Sequence, residues 1–214
     1  TARYAALADW QAQHGLNAIA TAHHADDQLE TLLMRLNRGA GVSGLAAIRP
    51  RQGQIIRPLL GWRKAELEAL VAQAGITPVY DPSNEDSRFD RARLRQALQG
   101  ADWLNAEAAS QSARALQSAE AALNWACETA LATRLERVAP AILHLDAAEL
   151  PFELQRRMIW QCLKEINPKA APRDDEVIRL VQRLNTGETA TLAGVKCRGG
   201  AIWTFSAAPP PRKN

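Results

Sequence analysis

Two imidazoles and three carboxylates are concentrated in one short stretch of this chain, His23-His24-Ala25-Asp26-Asp27-Gln28-Leu29-Glu30. On a helix, the carboxylates of Asp27 and Glu30 share a face because the two residues are three positions apart. Such a pair can bind a cation, either a magnesium ion or a substrate ammonium group. His23 suits proton transfer or nucleotide contact near neutral pH. Asp26 is equally suited to capping the helix. Adjacent histidines do not easily reach one metal ion, which disfavours a zinc site.

The elements around this stretch place it where α/β proteins bind their ligands. Residues 16–22 are short and mostly apolar, which predicts a buried strand. From Asp26 to Asn37, leucines recur at helical spacing, which predicts a helix. In an open α/β sheet, ligands gather beyond the carboxyl ends of the strands. The sequence therefore predicts a functional site at this strand-to-helix junction.

A second candidate set is basic. Arg91 and Arg95 are one helical turn apart, whereas Arg93 points elsewhere. Two guanidinium groups on one face suit phosphate, of a nucleotide or of a nucleic-acid backbone. The alternative is a solvated face whose cations are neutralised by nearby acids, namely Glu85, Asp86 and Asp90.

The remaining pattern predicts two domains with a boundary near residue 100. Alternating strands and helices up to that point predict a parallel sheet covered by helices. Beyond it, the sequence predicts mainly helices and a C-terminal β-hairpin that turns at Gly199-Gly200. The predicted helices cover residues 2–14 (burying Tyr4, Leu7 and Trp10), 63–74, 88–99, 105–137, 150–166 and 174–185, and the predicted extended segments cover residues 54–60, 78–80 and 142–145.

Composition sets broad limits on the function. The chain has 214 residues, of which 47% are hydrophobic and 23% charged, as in ordinary globular proteins. No apolar run approaches the roughly 20 residues that span a bilayer. Three widely spaced cysteines without a CxxC pair indicate buried thiols in a reducing cytosol. The net charge of +3 is compatible with a nucleic-acid partner but is weak support for one.

Four ordered blocks give the chain a resemblance to a known family. The blocks are HHADDQLET, RLNRGAGVSGL, IIRPLLGWRKAEL and DPSNEDSRFDRARLR, followed by a weaker terminal match, TATLAGVKCRGGAIW. In this order they resemble tRNA(Ile)-lysidine synthases, which are bacterial N-type PP-loop ATP pyrophosphatases. The resemblance is densest over residues 20–98. It implies that residues 1–100 are the C-terminal part of a Rossmann-like PP-loop ATP pyrophosphatase domain, similar to adenine nucleotide alpha hydrolases. Residues 101–214 would form a helical linker and a small α+β domain that binds tRNA.

The resemblance also implies a reaction and roles for residues. ATP would activate C2 of the wobble cytidine of a CAU-anticodon tRNA(Ile), and free L-lysine would then displace AMP to form lysidine. His23, Asp27 and Arg91 would be catalytic, Asp27 and Glu30 would bind lysine or Mg²⁺, and Arg91 and Arg95 would contact phosphate or tRNA. Ala92 replaces the asparagine that is usual in the arginine block. A homodimer and a cytoplasmic location are compatible with this interpretation.

Other functions stay open from sequence alone. A PP-loop tRNA thiolase is the nearest alternative, although such enzymes usually need paired cysteines. A non-catalytic tRNA-binding module built on residues 101–214 belongs to a different class, and those residues could also be packing scaffold only.

The family's phosphate-binding SGGxDS sequence does not occur in these 214 residues. This loop would supply backbone donors for pyrophosphate, so we expect this chain alone to be inactive toward ATP. The check is pyrophosphate release by the isolated chain with ATP and tRNA. Release above the enzyme-free background would contradict the expectation.

Overall fold

The computed structural model describes residues 2–79, 88, 90–101, 103–147 and 149–209. The chain divides into two compact units, residues 1–120 and 121–214. A long helix, Ala106–Arg134, crosses this division. The domain boundary near residue 100 remains a prediction.

The first unit combines helices with a small sheet. Its elements are α1 (Ala2–Gln13), β1 (Ile19–Ala20), α2 (Ala25–Leu36), α3 (Val42–Leu45), β2 (Arg51–Gln52), β3 (Ile55–Ile56), α4 (Lys64–Gln73), α5 (Asp90–Ala97) and the first part of α6 (Ala106–Arg134). The predicted helices in this unit are all present, with ends that shift by a few residues.

The sheet of the first unit has the order β1-β3-β2. Strands β1 and β3 are parallel, as expected, whereas β2 pairs antiparallel with β3 and was not predicted from the sequence. The extended segment predicted at residues 78–80 forms no strand over its described part, and Val79 is 96% exposed. Tyr80 lies outside the described residues. The expectation that α1 buries Tyr4 and Trp10 was wrong, since both are exposed.

The buried side-chain amide of Gln28 holds the backbone of the segment that leads from α2 back toward the sheet. The side chain of Gln28 donates to the Ile48 carbonyl oxygen at 2.7 Å and accepts from the Ile48 N–H at 2.8 Å. The Arg35 guanidinium donates to the carbonyl oxygens of Gly44 and Ala47. Both side chains extend from α2, so this helix fixes the path of the glycine-containing segment that follows it, residues 38–48.

The second unit packs two helices on one face of an antiparallel sheet. After α6 come β4 (Leu135–Ala139), β5 (Ile142–Leu145), α7 (Phe152–Ile166), α8 (Asp174–Asn185), β6 (Thr189–Leu192), β7 (Val195–Arg198) and β8 (Trp203–Ala207). The strand order is β4-β5-β8-β7-β6. Alternate strand residues pack against α7 and α8 in the core, among them Leu143, Leu145, Val195, Cys197, Trp203 and Phe205.

This sheet is larger than the sequence predicted. The predicted helix over 105–137 ends at Arg134, because Leu135 begins a strand that pairs with β5. The predicted turn at Gly199-Gly200 is confirmed between β7 and β8, and a further turn at Ala193-Gly194 joins β6 to β7. Gly199 is required there, since a Cβ atom would lie 2.1 Å from the Leu184 carbonyl oxygen.

The three cysteines are buried free thiols, as predicted. Burial raises the pKa of Cys197 to about 12 and that of Cys162 further. Both thiols therefore stay protonated near neutral pH and serve as core packing. Within the described part of the chain, no helix is both long and apolar enough to cross a membrane.

Candidate active site at the start of α2

The site begins where β1 passes into α2. The His24 backbone N–H donates to Asp27 Oδ2 at 3.0 Å, so Asp27 closes the first turn of its own helix. This bond also fixes the orientation of the Asp27 carboxylate, and the residue as a whole is only 7% exposed. His24 lies close above the same turn, with its Nε2 atom 3.5 Å from Asp27 Oδ2.

Asp26 connects this turn to a different helix. One carboxylate oxygen accepts the backbone N–H of Lys64, the first residue of α4, at 2.7 Å. The other accepts from the Arg63 guanidinium at 3.3 Å. Asp26 therefore caps α4, whereas sequence reasoning considered it only as a cap for α2.

The pKa of Asp26 reflects this arrangement. Burial alone raises it, but the Lys64 N–H and the Arg63 guanidinium stabilise the ionised carboxylate and bring the pKa below its ordinary value. The ionised form thus binds the beginning of α4, where the helix dipole also favours negative charge.

Arg95 brings the two predicted cation-binding carboxylates together. Its Nε and Nη2 atoms donate to Glu30 Oε1 and Oε2 at 2.6 and 3.1 Å, a bidentate pair. Its Nη2 atom also lies 3.5 Å from Asp27 Oδ1. Hydrogen bonding to Glu30 raises the pKa of Arg95 more than burial lowers it. Sequence analysis assigned Arg95 to phosphate, whereas in the structure this guanidinium compensates the charge of Glu30.

Arg91 lies one turn earlier on α5 and is held more loosely. Its Nη2 atom donates to Thr31 Oγ1 at 3.1 Å, while the residue itself is exposed. Arg93 forms an ion pair with Asp90 on the same helix. The prediction that Arg91 and Arg95 share a helix face and that Arg93 points elsewhere is therefore reflected in their contacts. Arg91 and Arg95 both contact α2, whereas Arg93 contacts Asp90.

His23 marks the other side of the junction. Its Nδ1 atom lies 2.9 Å from Thr21 Oγ1, which orients the ring between the end of β1 and the start of α2. The structure thus collects Asp27, Glu30 and Arg95 through direct contacts, and adds Arg91 through Thr31.

A cleft of about 440 Å³ opens beside these groups. Charged side chains contribute one part of its wall and leucines of α2 and the α5–α6 connection another. Its lining residues are Asp26, Leu29, Glu30, Arg63, Arg95, Leu98, Ala101, Leu104 and Asn105. Four of these nine residues are charged, so the cleft suits a polar or charged small molecule.

Sequence reasoning missed two residues that contribute contacts to the candidate site. Thr31 and Arg63 attracted no attention, because a threonine inside a helix and an arginine before one are common in any sequence. The relevant signal was weak in both cases: Arg63 immediately precedes a predicted helix, and Thr31 follows Glu30 on the predicted site helix. Their contacts with Arg91 and Asp26 depend on tertiary packing.

The described residues do not present a ready metal site. Among them, no group of three or more His, Cys, Asp or Glu side chains is placed to hold a metal ion. Asp27 and Glu30 already have a cation between them, the Arg95 guanidinium. The assignment of these two residues to Mg²⁺ therefore stays a prediction.

Comparison with known proteins identifies the family. A family model described as a PP-loop domain matches residues 1–101. A tRNA(Ile)-lysidine synthase of Novosphingobium aromaticivorans is 45% identical over 100% of this chain and 67% of its own length. The chain belongs to the tRNA(Ile)-lysidine synthase family.

Two further lysidine synthases support this assignment. That of Zymomonas mobilis is 39% identical over 99% of the chain and 66% of its own length, and that of Methylobacterium nodulans is 35% identical over 99% and 68%. The chain thus spans about two thirds of the length of these curated relatives. The predicted family is confirmed, and the PP-loop match together with the mixed sheet, its covering helices and the C-terminal antiparallel strands confirms the predicted fold class.

The Asp26 contact with α4 gives a pH-dependent prediction. Because the pKa of Asp26 is lowered in the folded chain, its stabilisation is present above the ordinary value of 3.8 and is lost as pH falls through the lower folded value. At neutral pH, Asp26→Asn keeps an acceptor oxygen for Lys64 but removes the negative charge that the N-terminus of α4 and the Arg63 guanidinium favour, so it should reduce the free energy of unfolding by about 0.5–1 kcal/mol.

Denaturant unfolding at several pH values measures this difference. The gap between wild type and Asp26→Asn should narrow below pH 3.8. Asp9→Asn, an exposed substitution on α1, is the control and should change little at any pH. A gap that stays constant down to the acid limit of folding would contradict the role of Asp26.

Proposed function

We propose that the protein to which this chain belongs is a tRNA(Ile)-lysidine synthase. In the first step, the C2 oxygen of the wobble cytidine attacks the α-phosphorus of ATP, and pyrophosphate leaves. In the second, the amine of L-lysine attacks C2, and AMP leaves with the former C2 oxygen. The product is lysidine in a tRNA(Ile) with a CAU anticodon. The curated relatives carry this name, and the charged junction at α2 supplies groups suited to both steps.

The observation that carries the proposal is the contact of α5 with the first turns of α2. It places two guanidinium groups beside two buried carboxylates, within a region matched by the PP-loop model. Arginine stabilises the negative charge that builds up on a transferring phosphate. Buried carboxylates suit the ammonium group of lysine.

We assign different roles to the two arginines. Arg91 is exposed and uses one N–H to contact Thr31, so its other donors can reach a phosphate. Arg95 is committed to Glu30 by two hydrogen bonds. We therefore propose Arg91 as the residue that stabilises phosphate charge, and Arg95 as a positioning residue that also contributes positive potential.

The two carboxylates also differ in how completely they are bonded to Arg95. Glu30 has both oxygens bonded to Arg95, whereas Asp27 Oδ1 has a longer contact of 3.5 Å with that guanidinium. Asp27 is thus the carboxylate with more capacity to accept a hydrogen bond from the lysine ammonium. Glu30 holds Arg95, and His23 moves a proton or contacts the nucleotide.

The remaining parts of the proposal rest on the family and the sequence. ATP is the nucleotide of PP-loop enzymes, and Mg²⁺ enters as the ion that accompanies ATP as a substrate complex. A cytoplasmic location is part of the proposal, and a homodimer stays a prediction. The thiolase alternative is disfavoured by Cys127, Cys162 and Cys197, because all three thiols are buried and burial raises their pKa values.

Substitution of neighbouring arginines tests the assignment in the full-length protein. Arg91→Ala should lower kcat for lysidine formation by about 10²–10³-fold, the usual loss when a donor to developing charge is removed. The measurement is incorporation of labelled lysine into tRNA(Ile) with ATP. Arg93→Ala is the matched control, because Arg93 is on the same helix but pairs with Asp90. Equal rates for the two variants would contradict the role of Arg91.

A further inference from the structure

Thr31 places a hydroxyl group on the buried side of the site helix α2. The residue is only 7% exposed, and its Oγ1 atom accepts a hydrogen bond from Arg91 Nη2 at 3.1 Å. A valine would have nearly the same shape without a polar atom, and a buried hydroxyl is costly unless it is hydrogen-bonded. β-branched residues are also not favoured inside helices. Packing and helix propensity therefore do not explain a threonine at this position, whereas its contact with Arg91 gives a reason for it.

The two arginines of α5 that contact α2 have acceptors of different charge. Arg95 is bonded to both oxygens of the Glu30 carboxylate, so its positive charge is compensated. Arg91 is bonded to a neutral hydroxyl, and it forms no ion pair with any acid in the part of the chain that the structure describes. Thr31 therefore holds the Arg91 guanidinium without compensating its charge.

A second cation lies near this contact. Arg35 follows Thr31 by one helical turn on α2, so the two side chains share a face of the helix. The Arg35 guanidinium is fixed there by hydrogen bonds to two backbone carbonyl oxygens. Burial lowers the pKa of Arg35 most, and the positive charges of Arg49 and Arg91 lower it further. Arg91 thus lies near like charges, which would push a loosely held guanidinium away.

We infer that Thr31 is a positioning residue for Arg91. Its hydroxyl holds the guanidinium beside α2 against repulsion from Arg35, and because the hydroxyl is neutral, the charge of Arg91 stays available to an anion. A carboxylate in the same place would hold Arg91 more firmly but would cancel this charge. The inference rests on the proposed function, in which Arg91 stabilises negative charge on the transferring phosphate.

Three substitutions of Thr31 in the full-length protein separate position from charge. Thr31→Val keeps the shape but removes the acceptor, so it should lower kcat for lysidine formation about tenfold by misplacing Arg91. Thr31→Ser keeps the acceptor and should retain a kcat near wild type. Thr31→Asp keeps an acceptor but compensates the charge, so kcat should fall at least as far as in Thr31→Val. The KM for L-lysine should change little, because Asp27 keeps its own contacts.

A double-mutant cycle tests whether Thr31 acts through Arg91. If it does, Thr31→Val should add no loss of kcat to Arg91→Ala, because the group that it positions is already absent. Losses that multiply would show that Thr31 acts independently and would overturn the inference. Thr133→Val is the matched control and should leave kcat unchanged, since this exposed hydroxyl donates to backbone carbonyl oxygens of its own helix.

Nuclear magnetic resonance gives a readout that does not depend on the reaction. In full-length protein labelled with ¹⁵N, the Arg91 Nε–Hε signal is identified by its absence from the spectrum of Arg91→Ala. The heteronuclear NOE of this signal should fall in Thr31→Val, because the guanidinium is released, and should stay near wild type in Thr31→Ser. Denaturant unfolding establishes that each variant is folded, and the valine and serine variants decide the positioning role if Thr31→Asp does not fold.

Each result has a defined consequence. An unchanged Arg91 signal in Thr31→Val would overturn the inference, as would a wild-type kcat in that variant. Full activity of Thr31→Asp would overturn the requirement for a neutral acceptor. If the Arg91 signal changes in Thr31→Val while the wild type forms no lysidine, the positioning role of Thr31 stands and the proposed reaction fails.

Discussion

The bidentate pair between Arg95 and Glu30 is the interaction on which the candidate site depends. Two carboxylates on the buried side of α2 carry an energetic penalty unless a cation compensates them. Arg95 supplies that cation from α5, with two hydrogen bonds to Glu30 and a longer contact to Asp27. This pairing keeps α5 against α2 and so places Arg91 beside Thr31. Charge compensation within the fold and the placement of Arg91, the residue proposed to contact phosphate, are consequences of the same contact.

The two adjacent aspartates at the start of α2 accept hydrogen bonds at the beginnings of two different helices. Asp27 accepts the His24 N–H in its own helix, and Asp26 accepts the Lys64 N–H at the beginning of α4. Together they join the beginnings of α2 and α4, and Asp26 also lines the cleft. The consecutive Asp-Asp pair is therefore explained by geometry, because one carboxylate cannot satisfy both helix ends.

Sequence reasoning could predict the candidate site because the signals for it are local. The charged run after an apolar strand and the one-turn spacing of Arg91 and Arg95 are both visible in a single stretch of chain. What it could not supply was pairing between distant stretches. Two such pairs, Glu30 with Arg95 and Asp26 with Lys64, join residues that are far apart in the sequence. The strand that begins at Leu135 is a further example, because it directly follows a helix-forming sequence and forms only by pairing with β5. Such contacts are fixed by packing and register, which local propensity does not encode.

A double-mutant cycle on Arg95 and Glu30 tests the central claim most directly. Free energies of unfolding are measured for wild type, Arg95→Met, Glu30→Gln and the double variant. Because Arg95 is partly exposed, the predicted coupling energy is modest, about 1–2 kcal/mol, with the double variant less destabilised than the sum of the singles. Additive effects, with a coupling energy near zero, would show that α5 is held against α2 by other contacts and would contradict the account.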